Sequence, residues 1–177
     1  MRIIAGTLRN RKIASPQGKD GIRPTSEKIR EAIFNMLYSK LDISEKVFAD
    51  ICCGTGAMGI EALSRGAKFC TFVDADTKNV SHNIKNLNIT ENLKILKAPA
   101  QKISITNLAD VIFLDPPYFK DIAEAILKNH KAIGKQGSMW IVEVEKQREL
   151  EINLEHFKIT DDRRYGKSRI YTLEQLV

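Results

Sequence analysis

Apolar residues recur along this chain with two different periods, and the change from one to the other marks out its elements. Ile29, Ala32, Ile33, Met36 and Leu37 follow the i, i+3, i+4, i+7 spacing of an amphipathic helix that should run to about Ser39. Thr25 or Ser26 can cap it, with Glu27 in the first turn. From Val47 onward, short continuous apolar runs take over, as expected of strands buried on both faces. Val47–Ile51, Phe69–Val73, Leu93–Leu96, Val111–Leu114 and Met139–Val144 read as such strands. Between them, Gly59–Arg65 (closed by Gly66), Lys78–Leu87 (Val80, Ile84 and Leu87 on one face) and Ile122–Ile133 (ended by Gly134) read as helices. His156–Thr160 and Ile170–Leu173 should be strands of a hairpin around Arg163-Arg164-Tyr165-Gly166.

Strands alternating with helices at this spacing predict an α/β fold: a mostly parallel, doubly wound, Rossmann-like sheet. The terminal hairpin would add an antiparallel C-terminal strand. Residues 1 to 24 are punctuated by Gly6, Pro16, Gly18, Gly21 and Pro24 and read as short strands and turns. The chain therefore divides into an N-terminal extension, residues 1–25, and one α/β domain, residues 26–177.

With 177 residues, 43% of them hydrophobic, a single domain can bury a proper core. There is no run of eighteen apolar residues and no signal-peptide core, so the expectation is a cytoplasmic protein with no membrane partner. Cys52, Cys53 and Cys70 form no C-x-x-C pair and the histidines are scattered, so no disulfide framework and no metal site are expected. The net charge of +6 is unevenly placed. Residues 1 to 30 hold eight basic and two acidic side chains, whereas the rest of the chain balances at 20 of each. A basic segment at one end is the footprint of a polyanion binder. The interleaved Ile3, Ile4, Leu8, Ile13 and Ile22 argue that the segment is folded.

Gly54-Thr55-Gly56-Ala57-Met58-Gly59 completes a G-x-G-x-x-G loop after the first strand, and Asp74 follows Gly54 by 20 residues at the end of the second. Taken alone this is the dinucleotide fingerprint, with the acid accepting from ribose hydroxyls. Any ligand with an adenosine end makes the same demands. Asp50, at the mouth of the first strand, would repel a pyrophosphate but attract the ammonium of S-adenosylmethionine. Asp76 is better placed to cap the helix that follows.

The fourth strand stops at Asp115-Pro116-Pro117-Tyr118, because proline cannot donate to a sheet ladder. That leaves a carboxylate, a stiff turn with free carbonyls, and an aromatic ring at the same edge as the glycine loop. The Asp115 carboxylate and the Pro116 carbonyl can accept both N–H bonds of an exocyclic base amine and free its lone pair. Tyr118 would stack on an extruded base, and the methyl donor would lie about 3–3.5 Å from the nitrogen.

These residues, with several stretches elsewhere, resemble the bacterial 16S ribosomal RNA guanine-N2 methyltransferases of the RsmD type. The resemblance runs nearly end to end. It is carried by Met1-Arg2-Ile3-Ile4-Ala5-Gly6, by Ile22-Arg23-Pro24-Thr25-Ser26 leading to Arg30-Glu31-Ala32-Ile33-Phe34-Asn35-Met36-Leu37, by Asp50-Ile51-Cys52-Cys53-Gly54-Thr55-Gly56, by Gly59-Ile60-Glu61-Ala62-Leu63-Ser64-Arg65-Gly66-Ala67, and by the Asp-Pro-Pro-Tyr turn. It implies a class I S-adenosylmethionine-dependent methyltransferase that leaves S-adenosylhomocysteine. It further implies one guanine of 16S rRNA as target, in the 30S subunit or an assembly intermediate, and a monomeric enzyme is expected. The candidate catalytic residues are then Asp115, Pro116 and Tyr118. The donor-binding set is Asp50, Cys52, Gly54, Gly56, Asp74, Ala75 and Ala100. The RNA-binding set is Arg2, Arg9, Arg11, Lys12, Arg23 and Thr25. The chain departs from the family in having Cys52 and Cys53 where phenylalanine and alanine are usual, Asp74 where glutamate is usual, and no acid in Ala98-Pro99-Ala100-Gln101, which leaves the Ala100 N–H to meet the adenine.

Three other readings use part of these features. An adenine-N6 methyltransferase of DNA or RNA could employ the same turn, although no large target-recognition insertion is present. An NAD-dependent oxidoreductase would explain the glycine loop but not Asp50 or the Pro-Pro turn. A non-catalytic RNA-binding protein would leave Asp115 without a role.

Overall fold

The computed structural model describes residues 1–14, 27–117 and 121–177. Along the chain run α1 (Glu27–Tyr38), β1 (Val47–Ile51), α2 (Ala57–Ser64), β2 (Phe69–Asp74), α3 (Lys78–Leu87), β3 (Leu93–Lys97), β4 (Ala109–Leu114), α4 (Ile122–Lys128), β5 (Gly134–Glu145), β6 (Phe157–Tyr165) and β7 (Ser168–Gln175). The strands form one seven-stranded sheet in the order β3-β2-β1-β4-β5-β7-β6. Neighbours from β3 to β5 are parallel, and β7 runs antiparallel to both β5 and β6. The strand order reverses between β1 and β4, which opens a crevice at the carboxyl ends of those strands.

Each face of the sheet carries its own core. Phe48, Phe72, Val111, Phe113 and Ile141 pack with α1, α2 and α3 on one face. Ala49, Ile51, Ile112, Leu114, Trp140 and Val142 pack with α4 on the other. Burial on both sides explains why the central strands are continuous apolar runs. Ile3 and Ile13, 1% and 2% exposed, belong to the first of these cores. The N-terminal segment is a narrow antiparallel loop, with Ile3 N–H donating to Arg11 O and Ile13 N–H to Met1 O, laid against α2.

Three boundaries differ from the sequence expectation. Helix α2 starts at Ala57 rather than Gly59, so Gly59 lies inside it. A Cβ on Gly59 would come within 2.4 Å of the Phe72 ring and 2.7 Å of Cys70 Sγ, so the glycine serves close packing of the helix on β2. Helix α4 ends at Lys128, a 3₁₀ turn spans His130–Ala132, and Gly134 opens β5 instead of closing a helix. A Cβ on Gly134 would lie 2.5 Å from Gln175 Oε1, an atom that accepts from Trp140 Nε1 at 3.0 Å. The hairpin turns at Gly166 (φ 56), with Arg163, Arg164 and Tyr165 inside β6. The expected cap residues Thr25 and Ser26 lie outside the described residues.

Candidate active site at the switch in strand order

The carboxyl ends of β1, β2 and β4 bring together three acids distant in sequence. Asp50 is next to last in β1, aligned with Phe72 on one side and Phe113 on the other. It is 4% exposed, and its Oδ2 accepts from the Gly59 N–H in the first turn of α2 at 2.8 Å. Burial pushes its carboxyl up from the usual 3.8 to about 7; the Gly59 N–H opposes that shift and the nearby Asp74 charge reinforces it. Asp74 closes β2, with Oδ2 accepting from Gly54 N–H at 2.8 Å and Oδ1 from Asp76 N–H at 3.0 Å. Asp115 follows β4 and stays stitched to β1 through its N–H, 3.4 Å from Ile51 O. Asp76, one residue before the N-cap Thr77, accepts from the Lys78 N–H at 3.1 Å, a bond to the first residue of α3.

Between these acids lies the glycine loop. The Gly56 N–H donates to Cys53 O at 2.7 Å, and both Gly54 (φ 52) and Gly56 (φ 77) need positive φ. Over Gly54 the space is open: a Cβ built there would meet no atom within 4 Å. Cys52 also holds a left-handed φ of 60. Its thiol is pushed up to about 12, first by burial and then by the charges of Asp74, Asp115 and Asp50, so all three acids bear on one point. Ala75 is exposed beside Asp74, and Ala100 opens the 3₁₀ turn after β3, tied to β2 through the Ala98 N–H and Asp74 O at 3.0 Å. Pro116 is buried and Pro117 exposed. An open cradle over a bare backbone, rimmed by carboxylates, suits a ligand with hydroxyls and a cationic group. Tyr118, Arg23 and Thr25 lie outside the described residues.

The basic residues of the N-terminal segment divide by what they touch. Arg2, Arg9, Arg11 and Lys12 are all exposed. Arg11, however, donates to Leu87 O and Asn86 O at 2.9 Å each, closing the C-terminal end of α3. Arg2 Nη1 donates to Asn10 O at 3.3 Å.

Two residues that sequence reasoning did not single out organise this region. Glu61, fully buried on α2, accepts from the Ile4 and Ala5 N–H groups at 2.9 and 3.0 Å and from Arg65 Nε at 2.7 Å. Arg30 Nε stands 3.4 Å from its other oxygen, an ion pair rather than a hydrogen bond, while Arg30 Nη2 donates to Arg2 O. Asn83, 1% exposed on α3, bonds both the N-terminal segment and the glycine loop. Its signal was in the sequence: it is the one polar residue in the Val80, Asn83, Ile84, Leu87 stripe.

This sheet order, with its reversed last strand and acid-rimmed glycine loop, defines a class I methyltransferase fold. Among solved structures, a candidate methyltransferase of Escherichia coli, yhhF, superposes with a TM-score of 0.84 at 24% identity, covering 99% of this chain and 98% of its own. A candidate methylase of Haemophilus influenzae reaches 0.79 at 26% identity, with the same coverage. The profile of the family described as conserved hypothetical protein 95 matches residues 1–174, and the chain belongs to that family, the RsmD family. Similar curated proteins include ribosomal RNA small subunit methyltransferase D of Haemophilus influenzae, 34% identical over 167 residues (85% of this chain, 81% of that one). The protein of the same name from Buchnera aphidicola subsp. Acyrthosiphon pisum is 35% identical over 154 residues, or 82% and 78% of the two chains.

Proposed function

We propose that this protein is an S-adenosylmethionine-dependent methyltransferase of 16S rRNA, acting on the exocyclic N2 amine of a guanine in the 30S subunit or an assembly intermediate. It works as a cytoplasmic monomer. The observation that carries the reading is the turn after β4: Asp115-Pro116-Pro117 is tethered through the Asp115 N–H to Ile51 of β1, three residues before Gly54 of the loop that forms the cradle. Family membership supports the substrate, since relatives across most of the chain are named for small-subunit rRNA methylation.

When bound, the donor supplies an electrophilic methyl group on a sulfonium. The chain's residues then divide the work. Asp74 accepts from the ribose hydroxyls and Asp50, in its ionised form, faces the ammonium. The backbone of Cys52, Gly54, Gly56, Ala75 and Ala100 follows the rest of the outline. Asp115 and the Pro116 carbonyl hold the two N–H bonds of the target amine, and the proline pair keeps those acceptors preorganised. Asp115 stabilises the cationic amine as it forms, and Tyr118 stacks on the base. Arg2, Arg9 and Lys12 meet phosphates, and Arg23 and Thr25 are assigned to the RNA as well; Arg11 contributes charge while bracing α3.

The test is transfer of labelled methyl from S-adenosylmethionine to ribosomal particles from cells lacking the modification, followed by nucleoside identification. Label on N2-methylguanosine is expected. Label on N6-methyladenosine would replace guanine by adenine, and no transfer to any RNA would overturn the reading. Asp115→Ala should abolish transfer and leave donor binding nearly intact.

A further inference from the structure

Asn83 occupies a place where an apolar residue would serve packing alone, yet its amide makes three hydrogen bonds to distant backbone. Its Oδ1 accepts from the Ala14 N–H at 2.9 Å, and its Nδ2 donates to Ala14 O at 3.1 Å and to Thr55 O at 2.9 Å. Ala14 is the last described residue of the segment that carries Arg9, Arg11 and Lys12. Thr55 is the centre of the glycine loop. A peptide unit is planar, so holding the Thr55 carbonyl also directs the Gly56 N–H. That N–H donates to Cys53 O at 2.7 Å, and the turn beneath the cradle is thus gripped from both sides of one peptide plane. One buried amide therefore touches the basic segment and the donor loop at once. A polar group this deeply buried holds its geometry tightly, because a lost bond leaves the amide itself without a partner away from water.

We propose that Asn83 is a positioning residue that couples RNA binding to donor binding. Seating the basic segment on rRNA and closing the glycine loop on the donor each favour the arrangement in which Asn83 bridges Ala14 and Thr55. Each ligand then tightens the other's binding by the same factor, as linkage requires. This rests on the reading of the two sites given above, and the experiment separates the two.

Equilibrium dialysis of labelled S-adenosylhomocysteine against the full chain, with and without saturating unmethylated small-subunit particles, measures the coupling. In the unaltered protein the particles should tighten the ligand about fivefold or more. In Asn83→Ala both partners should still bind, but the ratio should fall to within about twofold. Ala14→Pro removes the N–H that Asn83 Oδ1 accepts, while also fixing φ at that residue and restricting Ile13, and should shrink the ratio in the same direction; it decides the matter if Asn83→Ala does not fold. A ratio of one in the unaltered protein, or a ratio kept by the folded variants, overturns the coupling while both sites stand. Failure of the unaltered protein to bind the nucleoside or the particles at all overturns the site reading, and the coupling with it.

Discussion

Helix α2 is eight residues long, and its two ends treat buried acids in opposite ways. At its C-terminal end Glu61 meets two backbone N–H groups and two guanidinium groups, and Ser64 and Arg65 add to the closure. Ser64 O accepts from Thr7 N–H, Ser64 Oγ donates to Ala5 O, and the Arg65 guanidinium sits 4.5 Å over the Phe34 ring. At its N-terminal end Asp50 accepts from the Gly59 N–H, has a second acid nearby, and adjoins an open cradle. Burial alone does not distinguish the two carboxylates. Their partners do: surrounded by cations and donors, Glu61 holds the N-terminal segment down, whereas Asp50 keeps capacity for a cation that none of the described residues supplies.

The contrast breaks most readily at Glu61. Glu61→Ala would strand two backbone N–H groups and two buried guanidinium groups, and thermal unfolding should show a loss of about 3–5 kcal/mol. A stable variant with weakened donor binding would reverse the roles assigned to the two ends. Gly6→Ala attacks the same contact from the other side. Gly6 has φ 82, and its Cβ would fall 1.7 Å from Ser64 O, so stability should drop by about 1–3 kcal/mol as the segment is pushed off the helix. At the opposite end, Asp50→Asn should weaken donor binding about tenfold, or about 1.4 kcal/mol, without unfolding the chain. In the unaltered protein donor affinity should fall as pH is lowered through about 7, where Asp50 takes up its proton, and this dependence should vanish in the variant. Because the folded chain holds that proton more tightly than the unfolded chain, Asp50 should also make stability decline as pH rises from about 4 to about 7, a slope that Asp50→Asn flattens. The smallest effect belongs to the surface. Arg9→Ala with Lys12→Ala should lower the salt slope of RNA binding by about two. An unchanged slope would remove these two from the RNA surface.

Where information was local, the sequence was a reliable guide. Val47–Ile51 and Lys78–Leu87 form the strand and helix that their spacing predicts, and the order of elements yields the doubly wound sheet. Gly59 and Gly134 misled, because a glycine that permits close contact looks in sequence like one that ends an element. Of the Glu61 cluster only the Arg65 pair, at i,i+4, follows a pairing rule, since the backbone partners Ile4 and Ala5 lie 57 and 56 residues away. The stretches that carry the family resemblance nonetheless converge there. Met1–Gly6, Arg30 and Gly59–Ala67 looked like separate signatures, and in the fold they are one contact. Asp50, Asp74 and Asp115 were legible as candidates because a strand's end fixes where its last side chains gather. The bond that Asp74 accepts from the loop's own Gly54 N–H was not, since no periodicity reports it.

Cys52 gives the crevice a chemical safeguard. A thiolate is a strong nucleophile, and one beside an activated methyl group would be a competing acceptor for every turnover. Held up to about 12 by burial and by the acids around it, the Cys52 thiol stays protonated at neutral pH. Burial, with the carboxylates that would hold the donor and the target, thus also keeps the sulfur in the loop from becoming a thiolate.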